Sequence, residues 1–205
     1  MRASDGGRRA VSVDFVIVSY CSTRDVGRLL LQLSMTFPGQ HTVTVIDNTL
    51  DNRGFAKACN IAAAQGASPT VAFLNPDLIL APNWADETLA ALASDPDLVI
   101  AGPRLDDGLP WPRDVSSRGI RNWVCGACFF VRRDFFESVG GFDERFFFMF
   151  EETDLCRQAE DAGLRVATIG EPRVKHIRHN TAFHSEQLRA GAAVYVEKWG
   201  KDAAV

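Results

Sequence analysis

Apolar and polar positions along the chain switch repeatedly between the two-residue period of strands and the 3.6-residue period of helices. Val13-Asp14-Phe15-Val16-Ile17-Val18 is a β-branched run that predicts a buried strand. Ser22 and Thr23 offer helix caps, and Val26, Leu29, Leu30 and Leu33 follow at helical spacing until Pro38-Gly39 breaks the chain. Thr42 to Ile46 and Thr70 to Leu74 predict two further strands, separated by an alanine-rich helix from Phe55 to Gln65. Asn83 offers a cap for a helix to Ala93, and Leu98 to Ala101 reads as a fourth strand. Residues 103–120, rich in Gly, Pro, Arg and Asp, read as a long loop. A strand from Val124 to Val131, a short helix from Asp134 to Val139 and a helix from Glu152 to Ala162 follow. Short strands at Leu164–Thr168 and Val174–His176 and a last helix from His184 to Trp199 complete the pattern. Strands alternating with helices predict an α/β sheet, mostly parallel in the first half.

Composition narrows the class. A chain of 205 residues, 46% apolar and 23% charged, is globular and large enough to bury its own core. A formal net charge of −4 leaves no basic footprint for bulk nucleic-acid binding. No apolar run approaches the roughly 20 residues of a membrane span. Residues 1–10 carry charge and glycine but no apolar stretch, so they read as a disordered lead rather than a secretory signal. The five cysteines are then expected to be reduced thiols, and the protein cytoplasmic.

Three predicted strands end in polar residues: the first at Tyr20, the second at Asp47-Asn48, the third at Asn75-Pro76-Asp77. Ligands of open α/β sheets bind beyond the carboxyl ends of the strands, although Asp and Asn also favour such turns for local reasons. No glycine-rich phosphate loop is present, so a divalent cation on Asp77 is the natural holder for a phosphate. Glu151-Glu152-Thr153-Asp154 places three carboxylates at a predicted helix start. They serve either the helix dipole or as a general base whose neighbours raise its pKa. Seven Phe between Phe135 and Phe150 would give these carboxylates an apolar wall, or simply fill core. Arg173, Lys175, His176, Arg178 and His179 form either a solvated face or an anion clamp with a metal-binding histidine. Cys125-Gly126-Ala127-Cys128 falls in a predicted strand, where two small packing residues are expected rather than a redox pair or, with His176 and His179, a zinc site.

In order and spacing these segments resemble a family 2 glycosyltransferase with the GT-A fold, of the rhamnosyl- or galactofuranosyl-transferase kind, in a compact version. The segments that carry the resemblance are Val16–Tyr20, Val45–Asn48, Asn52-Arg53-Gly54-Phe55-Ala56 with Asn60, and Phe73–Asp77. They continue with Gly126–Cys128, Arg132-Arg133, Gly140–Glu144, Glu151–Leu155 and Val174–His176. The resemblance implies one α/β GT-A domain over 11–205, a Rossmann-like open twisted sheet, mostly parallel, with helices on both faces; its nucleotide-sugar half is 11–102 and its acceptor and catalytic half 103–205. It implies that Tyr20, Asp47, Asn52, Gly54, Phe55, Asn60, Asn75, Asp77 and Arg178 face the nucleotide sugar. Asp77 and His176 would hold a divalent cation, Mn²⁺ or Mg²⁺. Gly126, Ala127 and Glu151 would lie on the acceptor side, and Glu152 with Asp154 would be catalytic, Glu152 as the base of an inverting transfer. The donor would be a nucleotide diphosphate sugar, UDP or dTDP, and the acceptor a glycan, a lipid-linked glycan or a small molecule met in the cytoplasm or at a membrane surface. Three departures from the family pattern stand out. Asp47 and Asn52 are only five positions apart, Glu152 stands where Asp is usual, and Asn75 replaces the first acid of the metal motif. A sugar-nucleotide-binding module without catalysis and a sugar nucleotidyltransferase are the alternatives. The latter usually carries a glycine- and arginine-rich loop after its first strand, where this chain has Ser19–Arg24.

Overall fold

The computed structural model describes residues 12–109, 111–112, 115–177 and 184–200. One seven-stranded sheet carries the fold. Its strands are β1 (Ser12–Ser19), β2 (Gln40–Asp47), β3 (Thr70–Leu74), β4 (Leu78–Leu80), β5 (Leu98–Asp106), β6 (Cys128–Arg132) and β7 (Arg165–His176). The helices are α1 (Thr23–Thr36), α2 (Phe55–Ala63), α3 (Asp86–Ser94), α4 (Arg133–Ser138), α5 (Glu151–Asp161) and α6 (His184–Trp199). The strand order is β2-β1-β3-β6-β5-β7-β4. Only β6 and β4 run against the others, so β1, β2, β3, β5 and β7 all end at the same rim.

Period-two alternation in β1 explains why both faces are covered. Val13, Phe15 and Ile17 point into a cluster with Leu29 and Leu33 of α1 and Leu89 and Leu92 of α3. Val16 and Val18 point the other way, into a cluster with α2, Phe135 and Phe136 of α4, and Leu155 and Ala159 of α5. The buried face of α2 is Ala56, Ala58, Cys59, Ala62 and Ala63, small side chains that let the helix lie close on the sheet. Five of the seven Phe between Phe135 and Phe150 are buried, while Phe147 is exposed.

The structure departs from the sequence pattern in five places. Val124 to Ala127 is not strand: these residues enter a turn in which the Cys128 N–H donates to the Cys125 carbonyl at 3.0 Å, and β6 begins only at Cys128. Leu78–Leu80 forms β4, a short edge strand paired with the end of β7. The two short strands expected at 164–176 are one, β7, because Arg165–Ile169 and Val174–Lys175 both pair with β5 across a register shift. That pairing also prolongs β5 to Asp106, so the boundary at 102/103 lies inside a strand. Asn83 does not cap α3; it has φ +59°, and Ala85 is the N-cap. The lead at 1–10, Arg178 and His179 lie outside the described residues.

Candidate active site

Each of the five co-directional strands delivers polar side chains to the rim. Ser19 of β1 sits opposite Asp47 of β2, and the Asn48 N–H donates to the Ser19 carbonyl at 2.8 Å. Tyr20 follows, half exposed. Asp47 accepts the Thr49 N–H at 2.8 Å, and hydrogen bonds from Thr49 hold its carboxyl below the usual range. The Asn48 amide is buried and donates to the Gly54 carbonyl at 3.0 Å, while its Oδ1 has no partner. This ties the 52–54 turn to the end of β2, and Asn52 closes that turn by accepting the Gly54 N–H at 3.2 Å. Gly54 has φ +87°, and a Cβ there would lie 2.9 Å from the Phe147 carbonyl oxygen, so glycine is required on two counts. Phe55 then opens α2, its N–H on the same Phe147 carbonyl at 2.6 Å and its ring edge-on to Phe148.

Asn60 bonds to the protein through both ends of its amide. Its Oδ1 accepts the Phe142 N–H and its Nδ2 donates to the Phe142 carbonyl, both at 2.9 Å. These bonds pin the Gly-Gly-Phe-Asp-Glu loop to α2. Arg132 and Arg133 lie at the end of the sheet opposite the rim, where β6 carries them. There Arg132 donates to the Leu92, Asp95 and Leu98 carbonyls, and Arg133 pairs with Asp14 at 2.7 Å.

Farther along the rim, where β7 meets β4, Asp77 and His176 come together. Asp77 follows β3 and accepts the Ile177 N–H on its carbonyl at 3.1 Å; His176 ends β7 directly opposite Leu78. His176 Nε2 lies 3.3 Å from Asp77 Oδ1. Burial works against a charged imidazole, but hydrogen bonding to Asp77 and the nearby Cys125 sulfur outweigh it and raise the His176 pKa to about 9. Its Nδ1 is buried without a hydrogen-bond partner. The two side chains fit a divalent cation: two ligands at about 2.1 Å from one octahedral ion sit roughly 3 Å apart, close to the separation seen. Asn75, next to Asp77, donates its N–H to the Ala127 carbonyl at 2.8 Å.

The acidic cluster lies behind the same 125–128 turn. Glu151, Glu152 and Asp154 are all buried at the start of α5. Met149 and Phe150 lead into this helix with φ of +75° and +74°, two successive non-glycine residues in the left-handed region. The side chains then diverge around the helix, as the 100° step per residue requires. Glu151 lies on the side of α2, where its charge bears on the buried Cys59 thiol; burial and Glu152 push its own pKa well up, and its Oε2 has no partner. Glu152 turns to the rim. Its Oε1 accepts the Trp123 indole N–H at 3.1 Å and lies 3.2 Å from the Thr153 hydroxyl. Burial raises its pKa, opposed by Arg118 and by these hydrogen bonds. Gly126 makes room for it, because a Cβ there would stand 3.2 Å from the Glu152 carboxyl carbon. Asp154 instead accepts from Gln158 at 2.8 Å, Lys198 at 2.8 Å and the Trp199 indole at 2.7 Å, clamping α6 onto α5.

The Cys125–Cys128 turn therefore joins the two halves of the site: Ala127 holds Asn75, Cys125 stands beside His176 and Gly126 faces Glu152. Sequence reading did not find Asp107 and Arg118, which reach the rim from the segment expected to be loop, or Trp123 just after it. It assigned Cys125 to packing. Only the indole of Trp123, next to the Gly-Ala-Cys segment, carried a usable signal: a buried Trp needs an acceptor.

The sheet order, the helices on both faces and the polar rim define the GT-A fold. The sequence profile described as glycosyl transferase family 2 matches residues 12–156, and the chain belongs to that family. It is 31% identical to O-antigen biosynthesis protein RfbC of Myxococcus xanthus, over 68% of this chain and 13% of that protein. It is 33% identical to an N-acetylglucosaminyl-diphospho-decaprenol L-rhamnosyltransferase of Mycobacterium tuberculosis, over 42% of this chain and 32% of that protein. The chain thus spans only a fraction of the length of either curated relative. Among solved structures, a mannosyltransferase from Pyrobaculum calidifontis in complex with GDP-Man and Mn²⁺ matches with a TM-score of 0.73 at 14% identity, covering 90% of this chain and 64% of that one. GalNAc-T7 with UDP, GalNAc and Mn²⁺ matches at 0.71 and 15% identity, over 94% of this chain and 49% of that one. Among the described residues no helix is long and apolar enough to cross a membrane.

Proposed function

We propose that this domain transfers a sugar from a nucleotide diphosphate sugar to an acceptor hydroxyl, with inversion at the anomeric carbon. The observation that carries the reading is the convergence of Asp77, His176 and Glu152 on one rim, linked through a single four-residue turn. Family membership supports it, as do the nucleotide sugars held by the structural neighbours. Tyr20, Asp47 and the 52–55 turn would receive the nucleotide at the β1–β2 end of the rim. Asp77 and His176 would hold the divalent cation, which when bound supplies charge neutralisation for a departing diphosphate. Glu152 would accept the acceptor proton as the new C–O bond forms on the face opposite the leaving group. Trp123 and Thr153 fix one carboxylate oxygen, and Gly126 leaves the approach open. Asp154 is the anchor of α6 in this scheme and Glu151 lies on the α2 side, so Glu152 is the carboxylate left for proton transfer. The donor is UDP- or dTDP-linked and the acceptor a glycan, lipid-linked or small molecule.

The test is a thermal-shift panel of UDP, dTDP, GDP and CDP with and without Mn²⁺, on the wild type and Asp77→Ala. A selectively bound nucleotide raises apparent stability by mass action. The expected result is a Mn²⁺-dependent shift with UDP or dTDP that Asp77→Ala abolishes, its apo melting point staying near wild type. An unaltered shift in that variant would sink the assignment. Donor binding with neither transfer nor slow hydrolysis would instead identify a binding module.

A further inference from the structure

The cation reading above rests on Asp77 and His176, an oxygen and a nitrogen. The structure brings two more donors to the same place. Asp107, just past the end of β5, Cys125 in the turn before β6, and His176 at the end of β7 have ligand atoms that all lie within 4.8 Å of one another. The three come from segments far apart in sequence, so their meeting follows from the β5–β7 and β5–β6 pairings rather than from chain proximity. Cys125 is only partly exposed and is a free thiol. Cys128 is a different case: it is fully buried in the sheet core, and burial pushes its thiol pKa well up. The two cysteines of the motif therefore have separate surroundings, and only Cys125 reaches the rim.

We propose that Cys125 and Asp107 join His176 around the ion, making a mixed nitrogen, oxygen and sulfur site that prefers thiophilic divalent cations such as Co²⁺ or Zn²⁺ over Mg²⁺. This rests on the proposed metal-assisted transfer and specifies which ion that site takes. Thiolate and imidazole favour later first-row metals, whereas all-oxygen sites suit Mg²⁺. Ligands around one tetrahedral ion, with bonds of about 2.0 Å to nitrogen and 2.3 Å to sulfur, stand roughly 3.5 Å apart. A cluster no wider than 4.8 Å closes to that by side-chain rotation. On binding, the thiol loses its proton to solvent and the sulfur lone pair forms the metal bond, so uptake releases one proton and no redox partner is needed.

The experiment is titration of the full chain with Co²⁺ alone, read by absorbance. Wild type is expected to show a thiolate-to-cobalt charge-transfer band in the near ultraviolet together with visible ligand-field bands. Cys125→Ser should lose the charge-transfer band, keep the visible bands, and bind Co²⁺ at least about tenfold more weakly. Asp107→Asn should keep the charge-transfer band with weaker binding. Mg²⁺ in large excess should not displace Co²⁺ from wild type. A cobalt complex without the charge-transfer band, or with a band that survives Cys125→Ser or disappears in Cys21→Ser instead, overturns the inference. In that event an intact Mn²⁺-dependent nucleotide shift leaves the transferase reading standing. If neither Co²⁺ uptake nor a metal-dependent nucleotide shift is seen, both readings fall together.

Discussion

At the end of the sheet away from the rim, Asp14 accepts the Thr42 hydroxyl, the Ser68 N–H and hydroxyl, and Arg133, all at 2.6–2.8 Å. Arg133 also donates to the Ser68 and Ala63 carbonyls. At the rim, by contrast, Asn48 Oδ1 and His176 Nδ1 are buried without partners. Both ends bury charge, but the Asp14–Arg133 cluster answers it with protein and the rim leaves polar atoms unanswered. Unsatisfied buried polar groups are costly and rare, so an end that keeps two of them is built to meet something the chain does not itself supply. The acids of α5 repeat the contrast within three residues. Asp154 has three donors on it, and Glu152 has one oxygen fixed while a glycine keeps space beside its carboxyl group.

The largest expected effect falls on the satisfied end. Arg133→Met leaves Asp14 buried and short of its charge partner, and breaking one side of such a pair typically destabilises by about 3–5 kcal/mol. Chemical denaturation should show that loss, while the nucleotide-dependent shift of the folded fraction stays as in wild type. Loss of nucleotide binding without loss of stability would place Arg133 in the site and undo the contrast. Acid adds a second handle. Burial alone would raise the Asp14 pKa, but hydrogen bonds from Thr42 and Ser68 and the charge of Arg133 bring it below the model-peptide value. Its stabilisation is therefore complete above pH of about 4 and is lost as pH falls through the lower folded pKa. Acid unfolding of Arg133→Met should begin at higher pH than that of wild type.

A smaller effect is expected at Asp154. Asp154→Asn keeps the shape but weakens the acceptors for Lys198 and Trp199, and an impaired buried hydrogen-bond group costs about 1–3 kcal/mol. Proteolysis should reach α6 sooner in this variant. The smallest effect belongs to Gly126→Ala. Its Cβ would press on the Glu152 carboxyl at 3.2 Å and leave the core untouched. The melting point should change little, while the transfer rate falls by about tenfold through misplacement of the carboxylate.

Much of this contrast was legible in the chain. Strands β1 to β3 and helices α2 and α5 follow from periodicity, and their ends place Asp47, Asp77 and Glu152 where the fold delivers them. What escaped has physical causes. β4 is three residues long, too short for any period to show. β7 is interrupted by Gly170-Glu171-Pro172 and is exposed along much of its second half, so its unity depends on pairing with β5. Asp107 and Trp123 flank an aperiodic stretch, and only long-range pairing tells which way such residues face. Asn60 and Arg133 both lie in segments shared with the family, and both bond to the protein itself. The structure shows that a shared segment also contains the residues that hold the site's walls together.

The most direct test of the account is single-turnover transfer at saturating donor and acceptor, with the nucleotide fixed by the binding panel, comparing Glu152→Gln with Asp154→Asn. A positioned base typically contributes about 10²–10⁴-fold, so Glu152→Gln should lose that much while keeping wild-type donor binding and melting point. Its loss of rate in wild type as pH falls should centre above the usual carboxylate range, because burial holds the Glu152 pKa up. Asp154→Asn, read on the folded fraction, should stay within about tenfold of wild type. A Glu152→Gln enzyme near wild-type rate beside an Asp154→Asn enzyme that has lost transfer would contradict the account, moving the base to the residue that the structure shows clamping α6.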